Sequence, residues 1–277
     1  MSAPQRVTTR NARFQQWEAL LTNRTKRHRL GELLVQGVRP ITLAVEHGWR
    51  VRTLLHDGRS QTSAWADRLW DGIDAERFLV APELMAELGG KEESPELLAV
   101  VEMPQDDLAR LGDRGRGGPV VVFDRPSSPG NLGTLARSAD AFGAAGLVVT
   151  GHAADPYDPR CVRASTGSLF ALTVVRAAGH APVVEWAHEH GYRIVGTDEA
   201  GPDESGTVDS GTVDLEAADL RGRVVLVVGN EHAGLSQGWL EACDEVASIP
   251  MSGSASSLNA ATAGSLVLYA AMRQRRG

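Results

Sequence analysis

The sequence predicts a two-part α/β protein, with a smaller N-terminal α/β module and a larger C-terminal domain built on a parallel sheet. From residue 119 onward, short apolar runs alternate with helical stretches, which is typical of parallel βαβ architecture. Residues 105–118 are rich in Asp, Gly and Arg and have the composition of a linker, or of a long surface loop within one domain. The length of 277 residues suits two domains as well as one large α/β domain. We therefore predict domains over 1–104 and 119–277, joined by 105–118.

Residues 1–104 carry alternating helix and strand signals. Phe14, Trp17 and Leu20 recur at helical spacing, which predicts a helix over 11–21. The following residues, 22–29, are too polar for a core and are predicted as a loop. The remaining predicted elements are strands at 33–35, 50–56, 77–80 and 97–103 and helices at 38–47 and from Pro82 onward.

Residues 119–277 repeat a strand–loop–helix unit. The run 120–123 is apolar throughout and bounded by turn signals, as expected of a strand buried on both faces of a parallel sheet. Further strands are predicted at 146–150, 172–175, 193–196, 224–228 and 246–249, and helices at 132–142, 181–190, 235–242 and 257–274.

Composition limits the class of protein. No stretch approaches 18 consecutive apolar residues and the polar N-terminus lacks the apolar part of a secretory signal, so we expect a cytoplasmic protein without a membrane span. Cys161 and Cys243 have no metal-ligand spacing, and we expect neither a disulfide nor a metal site. The sequence contains no signature of a P-loop NTPase, a dinucleotide-binding Rossmann domain, a zinc hydrolase or a serine hydrolase.

Charge is distributed unevenly along the chain. The net charge of −7 by itself argues against a polyanionic partner. However, residues 1–52 hold ten Arg or Lys and three Asp or Glu, a net of +7, whereas residues 53–277 carry a net of −14. Such a basic arm can present one end of a protein to nucleic acid, although a solvated basic helix would have the same composition.

Three segments, each directly after a predicted buried strand, hold polar residues that could form a site. Ligands bind at such loops because they lie at the carboxyl ends of parallel strands. The first segment, 124–137, contains two prolines and a glycine that shape the loop. Asn131 is placed to cap the helix that follows, and Arg137 is expected in the second turn of that helix.

The second and third segments are also rich in small residues. In 227–235, Gly229 and Gly234 bracket a turn that carries the carboxylate of Glu231 and permits close approach of a ligand. In 249–261, five of the six residues from Ser252 to Ser257 are Ser or Gly, so a flat ligand or another segment can lie close to the backbone. Each segment alone is also compatible with an ordinary loop and a capped helix.

Taken together, the three segments resemble the three motifs of the SpoU, or TrmH-like, branch of the SPOUT RNA methyltransferases. The first motif, N-x-G-x-x-x-R, corresponds to Asn131, Gly133 and Arg137. The second corresponds to Gly229-Asn230-Glu231 with Gly234-Leu235, and the third to Ile249-Pro250-Met251 followed by Ser257-Leu258-Asn259. The resemblance covers essentially the whole chain, although many relatives have Val where this chain has Ala260.

This resemblance implies a homodimer whose methyltransferase domain has a deep C-terminal trefoil knot and whose N-terminal domain is an L30e-like RNA-binding domain. The implied reaction is 2'-O-methylation of a uridine ribose in 23S rRNA by S-adenosylmethionine, without a metal, and the implied role is resistance to orthosomycin antibiotics. The alternatives are a housekeeping enzyme that methylates tRNA or another rRNA ribose, and an inactive RNA-binding protein of the same fold. The implied cofactor contacts are Thr197, Gly229, Asn230, Gly234, Ile249, Met251 and Leu258.

The catalytic residues implied by the resemblance are Arg137, Asn131, Glu231, Ser257 and Asn259. A guanidinium is charged at ordinary pH and has no acceptor, so we expect Arg137 to clamp the phosphate beside the target ribose and lower the pKa of its 2'-hydroxyl. The proton would leave to water, to phosphate or to a transiently neutral arginine. Glu231 and Asn131 would hold Arg137 or contact the ribose, while Ser257 and Asn259 would order the loop.

The basic arm supplies the candidate RNA contacts. Phe14 and Trp17 could stack on unpaired bases, but their helical spacing favours a place in the core. The predicted phosphate contacts are Arg10, Arg13, Arg24, Lys26, Arg27, Arg29 and Arg39.

Overall fold

The computed structural model describes residues 3–90, 92–111, 117–198, 212–255 and 257–276. The chain divides into two compact units. The first comprises residues 1–104 together with 157–171, and the second comprises residues 105–156 together with 172–277. The segment 157–171, which the sequence pattern placed in the C-terminal domain, is therefore part of the first unit.

The first unit is built on a five-stranded mixed sheet. Its strands are β1 (Gln5–Val7), β2 (Glu32–Gln36), β3 (Val51–His56), β4 (Glu76–Val80) and β5 (Leu97–Glu102), in the order β1-β4-β3-β5-β2. Strands β1, β4 and β3 run parallel, and β5 is antiparallel to β3 and β2. The helices of this unit are α1 (Ala12–Thr22), α2 (Arg24–Leu30), α3 (Val38–Glu46), α4 (Ala64–Gly72), α5 (Pro82–Gly89), α7 (Pro159–Ala164) and α8 (Ser168–Ala171).

The core of the first unit includes the apolar face of α1. Phe14, Trp17 and Leu20 are buried, and the Trp17 ring meets Phe78 edge-on with centroids 5.1 Å apart. The core role predicted from helical spacing is confirmed, and neither ring is exposed for base stacking. The predicted loop over residues 22–29 is wrong, because Asn23 caps α2 by accepting a hydrogen bond from the Lys26 amide at 3.0 Å.

The second unit is built on a seven-stranded parallel sheet. Its strands are β6 (Val120–Asp124), β7 (Gly146–Thr150), β8 (Val174–Ala177), β9 (Arg193–Asp198), β10 (Thr212–Asp214), β11 (Val224–Val228) and β12 (Glu245–Ser248), in the order β10-β12-β9-β11-β6-β7-β8. The helices are α6 (Pro129–Ala141), α9 (Ala181–Glu189), α10 (Gln237–Ala242) and α11 (Ala260–Arg276), and Leu108–Leu111 forms a 3-10 turn. Strands β6, β7 and β11 are buried along their whole length.

The strand order determines where the predicted motifs meet. Strands β6, β11, β9 and β12 are consecutive neighbours and all parallel, so the loops after β6, β11 and β12 leave the sheet at one edge. In the described part of the chain, no helix is long and apolar enough to span a membrane, and no three metal-ligating side chains cluster. Cys161 and Cys243 form no disulfide.

Candidate active site

Helix α6 begins earlier than the sequence predicts. Its N-cap is Ser128, whose hydroxyl accepts a hydrogen bond from the Asn131 amide at 3.3 Å, and its first residue is Pro129. The prediction that Asn131 caps this helix is wrong, because Ser128 takes that role. Arg137 consequently lies in the third turn of α6 rather than the second, and the side chain of Asn131 is left to make other contacts.

A chain of hydrogen bonds links the three motifs. Asn131 Nδ2 donates to Glu231 Oε1 at 3.1 Å, and Asn259 Nδ2 donates to Asn131 Oδ1 at 3.0 Å. Asn259 Oδ1 in turn caps α11 by accepting from the amides of Ala261 and Thr262 at 3.0 and 3.3 Å. Three side chains, separated by 100 and 128 residues in sequence, therefore join the loops after β6, β11 and β12.

Glu231 fixes the loop after β6. Its Oε2 accepts from the amide and the hydroxyl of Ser127 at 2.8 and 3.0 Å, and its Oε1 accepts from the Ser128 amide at 3.1 Å. Burial raises the pKa of this carboxyl, but the hydrogen bonds from Ser127, Asn131 and Ser128 outweigh burial, so the pKa of Glu231 is lowered. Glu231 is therefore ionised at neutral pH and holds the loop as a charged acceptor.

Arg137 remains outside this network. The side chain is exposed on α6, and among the described residues its guanidinium has no hydrogen bond or ion pair. The expectation that Glu231 and Asn131 hold Arg137 is wrong, since their polar atoms bind the loop serines and Asn259 instead. Ser257 is also exposed and takes no part in the network within the described residues. The guanidinium of Arg137 is thus available to an external anion.

A cavity of about 510 Å³ opens where β9, β11 and β12 end. Its apolar side chains and accessible glycine backbone suit a flat ring that hydrogen-bonds to main-chain groups. Besides Val228, Ala260 and Ala263, it is lined by all seven residues implied as cofactor contacts, namely Thr197, Gly229, Asn230, Gly234, Ile249, Met251 and Leu258.

The turn after β11 leaves no room for a side chain at Gly229. A Cβ at this position would lie 2.5 Å from the carbonyl carbon of Gly234 and 2.7 Å from the Leu235 nitrogen. Two backbone hydrogen bonds between Asn230 and Gly234, of 2.9 and 3.1 Å, close the turn. Gly234 itself has a φ of +60°, which favours glycine. The two glycines thus shape one wall of the cavity.

Sequence reasoning missed two residues that connect the first and second motifs. The Arg125 guanidinium donates to the Gly234 carbonyl at 3.1 Å, and the Arg125 carbonyl accepts from Asn230 Nδ2 at 2.6 Å. Asp124 is buried, and it accepts from Arg125 Nε and from the Thr150 hydroxyl, both at 3.0 Å. An Asp-Arg pair at the end of an entirely apolar strand was the available signal, because a buried carboxylate needs partners.

In the first unit, Arg10, Arg13 and Arg27 are among the predicted RNA contacts that interact with other parts of the protein. Arg27 is 2% exposed, and its guanidinium donates to the Leu20 carbonyl at 2.9 Å. The prediction that Arg27 contacts RNA is therefore wrong, because the side chain lies in the interior and binds helix α1. Arg10 pairs with Glu18 and Glu87 at 2.6 and 2.9 Å. Arg13 lies 4.0 Å from a carboxylate oxygen of Glu76.

The other basic residues of the arm face solvent. Arg24, Lys26 and Arg29 are exposed on α2, and Arg39 is exposed in the first turn of α3. Of the seven predicted phosphate contacts, only Arg27 is therefore buried.

Comparison with known proteins identifies the family to which this chain belongs. Residues 118–269 match the SpoU rRNA Methylase family, and residues 11–99 match the SpoU L30e-like domain. The chain therefore belongs to the SpoU rRNA methylase family and is an RNA methyltransferase. The α/β class, the parallel sheet and the family predicted from the motifs are confirmed.

Individual relatives match over nearly the full chain. The 23S rRNA (uridine(2479)-2'-O)-methyltransferase of Streptomyces viridochromogenes is 54% identical, over 99% of this chain and 93% of the relative. The crystal structure of AviRb from the same organism, in complex with AdoMet, has a TM-score of 0.87 at 52% identity and covers 97% of this chain and 99% of that one. An AdoMet-bound rRNA methyltransferase from Sinorhizobium meliloti has a TM-score of 0.82 at 29% identity, with 97% of both chains covered.

Proposed function

We propose that the chain methylates the 2'-hydroxyl of a uridine ribose in 23S rRNA, with S-adenosylmethionine as the methyl donor. The observation that carries this proposal is the Glu231–Asn131–Asn259 network, which joins the three motif loops next to the 510 Å³ cavity. The choice of 23S rRNA and uridine is supported by the relative that is 54% identical and is named for that reaction. Two solved relatives hold AdoMet, in keeping with a cofactor cavity here.

The cavity residues fit this cofactor. When bound, S-adenosylmethionine supplies a methyl group on a positively charged sulfur, which departs as a neutral thioether. Ile249, Met251 and Leu258 offer apolar contact for an adenine ring, and the backbone around Gly229 and Gly234 offers hydrogen bonds. Among the residues that the structure describes, no acidic or basic side chain lines the cavity.

Arg137 is the residue proposed to act on the substrate. Its guanidinium is charged and exposed, so it can bind the phosphate beside the target ribose in a bidentate manner. The positive charge also lowers the pKa of the 2'-hydroxyl, whose proton leaves to water or phosphate.

Asn131, Glu231 and Asn259 are proposed as positioning residues. Glu231 is a poor base, because its pKa is lowered and its oxygens already accept four hydrogen bonds. The network instead holds the start of α6, which carries Arg137, against the loops that line the cavity. The exposed hydroxyl of Ser257 is left to bind the ribose.

The finer features implied by the family are proposals as well. We propose domains over 1–104 and 119–277, apart from 157–171, which belongs to the first unit. We also propose a trefoil knot in the second domain, a cytoplasmic location and resistance to orthosomycin antibiotics as the biological role. The knot is supported by the sheet order, in which β11 lies between β6 and β9. A homodimer is supported by Leu266 and Tyr269, which are 41% and 46% exposed on α11 and line a groove of mixed apolar and polar side chains.

Methyl transfer from radiolabelled S-adenosylmethionine to separate transcripts of 23S rRNA, 16S rRNA and tRNA tests the proposed function. We expect label in 23S rRNA, and mapping should place it on the 2'-oxygen of one uridine. Label in tRNA alone would show that the substrate is tRNA and not 23S rRNA. If the cofactor binds but no RNA is labelled, the enzymatic role is contradicted. Expression in a sensitive host should raise its tolerance to orthosomycins, and unchanged tolerance would favour a housekeeping role.

A further inference from the structure

Another groove, with about 1,000 Å³ of open space, lies within the first unit. Its lining includes two segments far apart in sequence, together with Gly89 and Gly90 at the end of α5. Gln36 and Arg39 come from the junction between β2 and α3, whereas Arg163 and Thr166 come from α7 and the turn after it. The groove thus combines the basic arm with a segment from the second half of the sequence.

The charge of this groove is positive and uncompensated. Arg39 and Arg163 are both exposed, and within the described residues neither guanidinium has an ion pair or hydrogen bond. No acidic residue is part of the groove lining that the structure describes. By contrast, Arg160 on the same short helix is bound to Asp158 at 3.0 Å. Two guanidinium groups with unused donors at one groove are suited to phosphate oxygens.

The groove also offers the contacts that a base requires. Gln36 Nε2 donates to the Leu88 carbonyl at 2.5 Å, which fixes the side-chain amide and leaves Oε1 as an acceptor. The Thr166 side chain adds a hydroxyl, and Pro40 and Val162 add apolar surface. Proteins read RNA sequence mainly on unpaired nucleotides, through base edges, flat contacts and the flanking phosphates.

The two segments are held firmly against each other. Thr166 has a φ of +49°, rare for a residue with a side chain, and Gly167 follows with a φ of +94°. A Cβ at Gly167 would lie 3.1 Å from Pro40 Cα, so the turn packs directly on the start of α3. Trp49 Nε1 also donates to the Phe170 carbonyl at 2.9 Å. The groove is therefore preformed, and binding need not first order it.

We propose that this groove binds one unpaired nucleotide of the substrate RNA. Arg39 and Arg163 bind its flanking phosphates, while Gln36 and Thr166 contact the base. The inference rests on the proposed function, since it takes the substrate to be RNA, and it adds Arg163 as a recognition residue that the basic arm does not include.

Binding of a labelled 23S rRNA transcript at several salt concentrations tests this site. Arg163→Glu and Arg39→Glu should each weaken binding about tenfold and reduce the slope of log K against log salt by about 0.7 to 0.9 per lost phosphate contact. Gln36→Leu should weaken binding without changing the slope, because it removes the proposed base contact and the hydrogen bond to the Leu88 carbonyl but no charge. Arg160→Gln is the matched control from the same helix and should stay within about twofold of wild type.

The outcomes separate this site from the proposed function. If wild type methylates 23S rRNA and both charge reversals keep its affinity and slope, the groove proposal is overturned while the enzymatic proposal stands. An equal loss in Arg160→Gln would overturn it too, because general surface charge would then account for the effect. Cofactor affinity should match wild type in every variant. Tm should match wild type in the arginine variants and fall slightly in Gln36→Leu, which loses the hydrogen bond to the Leu88 carbonyl. Arg163→Gln replaces Arg163→Glu if the reversal lowers Tm.

Discussion

The two units contain two kinds of charged and polar side chains, those that the protein itself binds and those that it leaves exposed. In the second unit, Glu231 is surrounded by donors, whereas Arg137, on the adjoining helix, is exposed. In the first unit, Arg27 lies in the interior bound to a carbonyl, whereas its neighbour Lys26 faces solvent. The bound groups determine local geometry and stability, and the exposed groups are those left for substrate. Substitutions of bound groups and of exposed groups should therefore have different effects.

The largest effect is expected for Arg137→Ala. Loss of the exposed guanidinium should slow methyl transfer by roughly 10²- to 10³-fold, since one charge-stabilising donor contributes about that much to a reaction. Cofactor affinity and Tm should stay unchanged, because no described group binds this side chain. Single-turnover methyl transfer with 23S rRNA measures the effect.

Arg221→Ala is the control for Arg137, because Arg221 is an arginine of the same unit that is bound to Asp219 at 2.7 Å. It should retain wild-type turnover. Near-normal turnover in Arg137→Ala, or an equal loss in both variants, would refute the role given to Arg137.

The next largest effect is expected for Gly229→Ala. The added Cβ would overlap the backbone of Gly234 at 2.5 Å and force the turn apart, a cost of about 1–3 kcal/mol for overpacking. Applied to cofactor binding, this corresponds to about a 5- to 150-fold higher Kd for S-adenosylmethionine. Calorimetry measures that Kd directly. Gly179→Ala is the control, because a Cβ there meets nothing within 4 Å, and an unchanged Kd in Gly229→Ala would place the cofactor elsewhere.

Glu231→Gln tests the role of the Glu231 carboxylate, which is held by surrounding hydrogen-bond donors in the second unit. Each carboxylate oxygen accepts from a backbone amide, so the NH₂ of glutamine must face a donor in either orientation. We expect a loss of about 1–3 kcal/mol in the free energy of unfolding at pH 7. Urea unfolding at a series of pH values measures this loss.

The pH dependence of this difference has a definite sign. Because folding lowers the pKa of Glu231, its stabilisation is present above the ordinary carboxyl pKa and is lost as the pH falls through the lowered value. The gap between wild type and Glu231→Gln should therefore narrow in acid. A gap that is constant or widens would show that the ionised carboxylate is not the stabilising species.

The sequence predicts the convergence of the motif loops because the relevant strands are continuous apolar runs. Runs such as 120–123 and 224–228 are buried on both faces of a parallel sheet, and polar residues that follow them must meet at its carboxyl edge. The seven cavity residues lie together for this reason. The start of α6 could not be predicted in the same way. Ser128 and Asn131 are both residue types that cap helices, and the sequence pattern does not show which of them caps this one.

Charge carries much less information about position. Helix α2 shows no apolar stripe because the residue it buries is Arg27, so hydrophobic periodicity cannot reveal it. The Asn23 cap was the remaining signal for this helix. Residues 157–171 belong to the first unit, but no change in composition marks this segment in the sequence. Only its tertiary contacts show the assignment.

The smallest effect is expected for Lys26→Ala, and comparison with Arg27→Ala separates the effect on RNA binding from the effect on stability. Lys26→Ala should leave the free energy of unfolding unchanged, because only the backbone amide of Lys26 binds the Asn23 cap. It should reduce the salt slope of RNA binding by about 0.7 to 0.9 if the ammonium meets a phosphate. Arg27→Ala should do the opposite, with a loss of about 1.5–3 kcal/mol in stability and an unchanged slope, since a buried charged donor is removed. Chemical unfolding and salt-dependent RNA binding measured on both variants decide the matter. An Arg27 variant with normal stability and a reduced slope would mean that this side chain leaves the interior to bind RNA, and the division between bound and exposed groups would fail in the first unit.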